Sequence, residues 1–462
     1  MTRIIGDVRA VLTAGPMTLI ALSVPVRGAE AGEESGAPTG IPDPSIATSL
    51  PAHGDPTGLR KALAGVGITY GVNYTGDVLG NVSGGVRQST HYTGLAELYT
   101  DVDFDKLSGW RGLTFHASGY QIHGTSISGE NLGSLAAVSN IEAYPSTRLF
   151  ELWLEQKLLN DKLAIRFGQL AADAEFFIAE GGGNFIDSTF GWTTISSDNI
   201  PVGGPIYPIA TPGVRVSFEP SDSVKIMAGL WNGDPVGPCP EDLDPGQCNE
   251  DGLDFRLKDP PLLIVEGAYS YNKEGAGLPG TIKIGGWRHF GDFDDLRRDE
   301  NGGLLGALGG DPLRHNGNHG LYAVIDQMIY RLPGADATKG ISMFARVAGS
   351  PSDRNQIDFY ADAGLVFTGM IPARPSDVLG IAFAYSRISN DASGFDRDSV
   401  LSIVRNYESV LEISYTAEIM GGWTLQPDFQ YFWNPGGNVP DETGVRSVDN
   451  ATVLGLRTSI SY

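Results

Sequence analysis

Between residues 67 and 462 the chain repeats one pattern about sixteen times: a stretch of roughly ten residues in which apolar side chains fall on every second position. The last copy, 450–462, reads N-A-T-V-L-G-L-R-T-S-I-S-Y. Tyr462, Ile460, Leu456 and Leu454 share one face, and Ser461, Ser459, Arg457 and Gly455 share the other. In water the apolar face would need a core. After the first 26 residues no apolar run approaches 20 residues, so no spanning helix is implied. A chain built almost entirely of such strands can instead close on itself, apolar face to lipid and polar face to a lumen.

Composition fits that reading. A mean hydropathy of -0.09 is too polar for a helical membrane protein but suits a barrel, in which only alternate residues meet lipid. The formal net charge of -23 excludes a phosphate-backbone footprint, so no nucleic-acid partner is expected. Nothing calls for a cofactor or a metal. An acidic surface meets lipopolysaccharide best with divalent cations between them.

The chain opens with a targeting pattern. Arg3 and Arg9 precede a mostly apolar stretch, 10–26, and Ala29-Glu30-Ala31 offers a small-x-small cleavage site. We read 1–31 as a signal peptide, 32–57 as a flexible periplasmic leader rich in Pro, Gly, Ser and Ala, and 58–462 as the barrel. In an exported chain Cys239 and Cys248, nine positions apart in one loop, are expected to form a disulfide.

The alternation places strands at 67–80, 92–104, 112–123, 147–158, 163–173, 213–219, 224–232 and 262–272. Eight more follow at 280–290, 319–331, 340–349, 356–370, 378–389, 406–419, 424–433 and 450–462. The connections alternate between short turns and long loops, the pattern of an all-β, antiparallel, up-and-down transmembrane barrel. An even count puts both termini on the periplasmic side. The longest loop, 174–212, is the one expected to fold inward and narrow the channel.

A charge at the bilayer midplane costs roughly 2–4 kcal/mol for Arg or Lys, so charged faces are assigned to the lumen. This rule selects Glu151, Trp153, Glu155, Arg166, Arg215, Arg346, Asp358, Asp362, Glu412 and Arg457 as lining the solute pathway. Fixed donors and acceptors there suit a hydroxyl-rich solute, and Trp153 offers a face for a pyranose ring. Each of these groups could equally brace the wall as an ion pair. Tyr and Trp near strand ends read as interfacial girdle. The register of 319–331 stays open, because Asp326 and Gln327 fall on opposite faces.

Several runs resemble the carbohydrate-selective outer-membrane porins, the OprB-like group. They include R-L-F-E-L-W-L-E-Q (148–156), G-Q-L-A-A-D-A-E-F-F (168–177), W-N-G-D-P (231–235), F-A-R-V-A-G-S-P-S-D-R-N (344–355) and W-T-L-Q-P-D-F-Q-Y (423–431). The resemblance implies a sixteen-stranded outer-membrane porin that admits glucose and other small sugars passively, through a narrow region lined by arginines and acidic groups. Arg166, Arg215, Arg346 and the Glu151/Glu155 pair would fit that region. Terminal Tyr462 replaces the more usual Phe and retains the aromatic that the outer-membrane assembly machinery reads. A porin of this size is compatible with a homotrimer.

Other chemistries are weaker. His116-Ala117-Ser118 has the spacing of a phospholipase dyad, but both side chains point to the lumen and not to lipid. His289, His315 and His319 sit near one loop and could gather a metal only by chance. A general or ion-preferring porin, a barrel enzyme and an adhesin with a plugged lumen are the rival readings.

Overall fold

The computed structural model describes residues 39–462, except 241–242, 274–276, 335, 400–402 and 442–444. The expected signal peptide and the first residues of the leader lie outside the described residues.

Among the described residues sixteen strands form, the first eight being β1 Ile68–Gly85, β2 Ser89–Asp103, β3 Leu113–Gly124, β4 Ser146–Leu158, β5 Leu163–Leu170, β6 Thr211–Ser221, β7 Val224–Asn232 and β8 Pro261–Tyr271. The rest are β9 Gly280–Asp299, β10 Pro312–Arg331, β11 Gly340–Gly349, β12 Ile357–Thr368, β13 Val378–Ile388, β14 Tyr407–Met420, β15 Trp423–Trp433 and β16 Asp449–Ser461. Each strand pairs with its sequence neighbours, and β1 pairs antiparallel with β16 to close the barrel. Closure leaves no sheet edge, so the strands' backbone groups find partners within the wall.

Register follows the alternation. Asp77 of β1 lies opposite Arg457 of β16, and both side chains point inward. The outer wall exposes Val72, Leu98, Phe167, Leu230, Ile284, Leu321, Phe383, Leu454 and Leu456. Aromatic clusters flank that band. At the end with the long connections Tyr385 stacks on Tyr407 at 5.3 Å and Tyr431 meets Trp433 at 4.6 Å. At the other end Tyr269 stacks on Tyr271 at 6.2 Å. Such belts mark the two lipid–water interfaces.

Three local outcomes differ from the sequence reading or complete it. First, the segment 291–318, expected as a loop, is mostly strand. β9 and β10 run on past the band and are tied by Arg314 Nη1 to Asp294 Oδ1 at 2.6 Å, a cross-strand charge pair suited to water. Second, the register of β10 is settled: Tyr322 and Val324 are buried inside, and Asp326 accepts from the Gly181 amide. Gln327, on the other face, reaches the turn after β8 by donating to the Pro279 carbonyl at 3.1 Å.

The third is the leader. Its described part, 39–57, is seated rather than free. Ile46–Ser49 and Pro51–Gly54 form short 3-10 turns, followed by a helix, α1, over Leu59–Gly65. Buried Arg60 of α1 donates to the carbonyls of Gly40, Tyr70 and Tyr462 and lies 4.9 and 4.8 Å from the Tyr70 and Tyr462 ring centres. The Tyr462 hydroxyl donates to Gly54 O at 2.6 Å. Cys239 and Cys248 are joined, with Cα atoms 5.9 Å apart.

Candidate functional site in the barrel interior

The loop between β5 and β6, 171–210, turns into the barrel. Its Phe176, Phe177, Phe185, Phe190 and Trp192 are buried in one cluster with Trp231, Trp287, Tyr322, Phe344 and Tyr360 of the wall. Phe177 stacks on Tyr322 with ring centres 4.0 Å apart, and Phe176 meets Trp231 edge-on at 5.5 Å. The interior is therefore not polar throughout. From β7 to β12 the inward face mixes large apolar side chains with buried charges such as Glu266, Lys283, Arg346 and Asp362, and the loop's aromatic face covers it. At Gly380 a side chain would lie 2.8 Å from the Phe185 ring, so only glycine lets that ring rest on the wall.

Wall charges clamp this loop by its backbone. Arg346 and Asp362 form an ion pair with both side chains fully buried. The same guanidinium donates to the carbonyls of Phe177, Gly191 and Thr189 at 3.1, 2.7 and 2.8 Å. Tyr360 donates to Asp362 at 2.7 Å and so shares the clamp. Glu412 accepts from the amides of Ile186 and Asp187 at 2.6 and 3.0 Å. Glu266 accepts from Phe177 N at 2.9 Å. Glu412 and Glu266 thus satisfy backbone donors that would otherwise be stranded.

The start of the loop is held differently. Arg166 of β5 and Arg215 of β6 lie opposite one another in register. Two like charges so placed would repel, and two carboxylates separate them. Glu155 Oε2 of β4 is 2.8 Å from each guanidinium. Glu175, from the loop, contacts both from the other side. Burial alone would raise the Glu175 carboxyl, but Arg166 and Arg215 outweigh it and hold it down at about 2. Arg166 also lies 3.8 Å from the Trp153 ring centre, and Trp153 stacks on His116 at 5.0 Å.

The 125–145 loop turns inward against the opposite wall. Ser139 donates to Asp77 at 2.6 Å, and Arg457 donates to Asp77 and to Asn140 Oδ1 at 2.7 and 2.8 Å. Glu408 accepts from the amides of Leu135 and Ala136. The two loops also bond to each other: Asn140 N donates to Ile186 O and Ser188 N to Ala137 O, at 2.8 and 2.9 Å.

All ten residues singled out from the sequence are buried on the inward side of the wall. Glu151 accepts from Ala171 N at 3.1 Å, and Asp358 accepts from Arg387 at 2.7 Å. Glu155, Arg166, Arg215 and Trp153 are gathered into one cluster. Arg346, Asp362 and Glu412 lie beneath the inserted loop, away from that cluster. The sequence reading omitted Glu175, Asp77 and Glu408 from the site. Asp77 was findable as the lone acid on an otherwise uncharged inward face of β1, and Glu408 shares the charged inward face of β14 with Glu412. Glu175 was not findable, because its loop carries no alternation.

His116 and Ser118 are both buried inside the wall, and His116 Nδ1 lies 2.7 Å from Asp101 Oδ1. The three loop histidines do not converge. His289 is buried and contacts Gly233 O, while His315 lies 2.8 Å from Asp295 and 3.8 Å from Asp353. Arg354 already pairs with Asp353, so that trio is a charge network as it stands.

Comparison with known proteins places this architecture. Residues 87–462 match the OprB family of carbohydrate-selective porins. Porin B of Pseudomonas aeruginosa is 24% identical over 441 residues, covering 87% of this chain and 89% of the relative. The high-pH structure of Pseudomonas putida OprB superposes with a TM-score of 0.78 at 22% identity, covering 88% of this chain and 97% of that one. The low-pH structure of the same protein gives 0.54 at 18% identity over the same shares.

Proposed function

The chain belongs to the OprB family of carbohydrate-selective porins, and on that premise we propose how its interior selects. The protein is a sugar-selective outer-membrane channel, and a channel rather than an enzyme. The reading adds that transport is passive, that glucose-sized sugars are the solutes, and that two inward loops set the bore. The observation that carries it is the clamping of the 171–210 loop inside a closed barrel by Arg346, Glu412 and Glu266.

Two roles divide nine of the ten wall residues. Glu155, Arg166 and Arg215, with Glu175, present a charged lattice that offers fixed donors and acceptors to hydroxyls. Trp153 backs that lattice. Arg346, Asp362, Glu412 and Glu151 position the 171–210 loop, and Arg457 positions the 125–145 loop. Asp358 is held at the strand end by Arg387. Outer-membrane lipid and lipopolysaccharide meet the apolar band and its aromatic belts. The assembly machinery reads the β16 segment, and the assembled state is a homotrimer.

Ion current through the purified protein in a planar bilayer tests the reading, with glucose, a disaccharide and an open-chain polyol titrated in. Saturable block by sugars, and not by the polyol at matched viscosity, is expected. Current that follows viscosity alone would mean a general pore.

A further inference from the structure

The barrel closes where β1 meets β16, and this seam is thinly held along much of its length. Gly76 and Gly80 of β1 and Gly455 of β16 offer no side chain to pack across it. Toward the long connections the ladder slips register twice, between Asn81 and Ser83 and between Ser83 and Gly85. Further down, one ion pair joins Asp77 to Arg457. Of all the pairings in the wall this one closes the longest stretch of chain, so it carries the largest closure entropy.

At the other end of the seam, beside the short turns, sits the leader. One amino group of Arg60, Nη2, donates to Tyr70 O of β1 at 2.9 Å and to Tyr462 O, directly after β16, at 3.1 Å. Nε of the same guanidinium donates to Gly40 O at 3.0 Å, so one side chain ties both seam strands to the leader. Tyr462 is itself in the ladder: its amide donates to Val72 O at 2.8 Å, and its carbonyl accepts from Val72 N at 3.0 Å. Its hydroxyl donates to Gly54 O at 2.6 Å, a bond that phenylalanine could not make. On the neighbouring turn the leader backbone lies so close to Gly422 that a Cβ there would come within 2.3 Å of Ile46 N. Asp55 accepts from the amides of Arg60 and Lys61 at 3.1 and 3.0 Å, which fixes the start of the helix that carries the arginine.

We propose that residues 40–60 are a latch that docks once the β1–β16 seam has closed and keeps the barrel from unzipping at that end. The order follows from the geometry. Tyr70 O and Tyr462 O stand side by side only when β1 and β16 are paired, so an open barrel lacks the full acceptor set of Arg60. A contact absent from the transition state of closure slows unfolding and leaves the folding rate alone. The hydroxyl that distinguishes Tyr462 from phenylalanine belongs to the latch.

The test follows the full-length protein as it folds into lipid vesicles from urea and unfolds from them, read by tryptophan fluorescence and compact gel mobility. Arg60→Gln should raise the unfolding rate about tenfold and change the folding rate by less than about twofold. Tyr462→Phe keeps the ring and loses one hydrogen bond, so it should raise the unfolding rate about threefold. In both folded variants the Val72 amide should exchange with deuterium faster than in the parent protein, while the amides of β8 and β9 on the far wall should not. Should Arg60→Gln fail to reach the compact form, Tyr462→Phe decides. Slower folding with an unchanged unfolding rate would overturn the latch and make the leader a folding nucleus. Unchanged rates and unchanged Val72 exchange would overturn it too, leaving the leader a passive cover.

Discussion

The 171–210 loop is attached at its start by side-chain charge and further along by its own backbone. At the start, Glu175 completes a four-membered lattice with Glu155, Arg166 and Arg215, whose side chains keep 1–17% of their surface open. Further along, Arg346 and Asp362 are wholly dry, and the arginine reaches three loop carbonyls. The first attachment depends on which residue the loop carries at one position. The second asks only that the loop follow a given backbone path. A lattice of alternating charges can lose one member and still be paired. A dry arginine with one carboxylate cannot. The difference teaches which wall charges are free to deal with a solute and which are committed to holding the bore's shape.

Removing the dry clamp should therefore have the larger effect. Arg346→Met leaves the Asp362 charge buried without its ion-pair partner and removes the arginine's bonds to three loop carbonyls. Breaking a buried pair from one side costs roughly 3–5 kcal/mol. The temperature at which the barrel loses its compact gel mobility should fall, single-channel conductance should rise, and protease should nick 171–210. Arg346→Lys keeps the charge but not the planar fork, so it should recover only part of each. A variant with unchanged conductance and protease resistance would show that aromatic packing alone holds the loop.

Glu175→Gln should act more mildly and in a different observable. Glu155 remains between the guanidinium groups, so the lattice loses charge and keeps its form. A cost of about 1–3 kcal/mol is expected from the weakened hydrogen bonds. In a salt gradient the reversal potential should move toward anion preference. If it does not move, Glu175 is screened from the permeating solution, and the lattice is as structural as the dry clamp.

Acid sharpens the same contrast. The Glu175 carboxyl, held at about 2 against an ordinary 4.5, favours the folded state fully above pH 4.5, and that contribution is lost as pH falls through 2. Burial pushes Asp173 of the same loop the other way, to about 6 from 3.8. The folded protein therefore takes up the Asp173 proton before the unfolded chain does, and stability from this group rises as pH drops from 7 toward 4. The part of the ion selectivity that Glu175→Gln removes should be the same at pH 7, 5 and 3, and thermal stability should not fall between pH 7 and 5. A selectivity step near pH 4.5 would mean that the arginines do not hold Glu175 ionised.

The sequence disclosed the wall far better than what fills it. All sixteen strands lie close to where alternation put them, because a period-2 pattern is enforced by lipid on one side at every residue. The inward face has no such uniform solvent. From Trp231 to Phe344 it meets a loop's phenylalanines instead of water, and alternation cannot say which. The inward direction of Arg166, Arg215 and Arg346 followed from the cost of a charge in lipid. Their partners did not, since Arg346 bonds residues more than 150 positions away by main-chain atoms that carry no side-chain signal. Glu175 was invisible for the same reason, lying where neither a strand nor a helix period constrains the residue.

The smallest effect is expected at the Cys239–Cys248 bridge. It spans nine positions within the 233–260 loop, away from both clamps of the 171–210 loop. Loop-closure entropy for so short a ring stabilises by at most about 2–3 kcal/mol, and here the gain is confined to a loop outside the strands. That loop still touches the interior at its borders. Arg148 donates to Asn249 O at 2.6 Å, and Gln169 donates to Gly252 O at 3.1 Å. Reduction should therefore leave barrel melting and conductance nearly unchanged while making 233–260 more susceptible to protease. If reduction changed sugar block as strongly as Arg346→Met, the bridge would be acting through Arg148 and Gln169 on the first residues of the 171–210 loop. The boundary between a committed wall and an adjustable loop would then have to be drawn on the outer side of those two contacts.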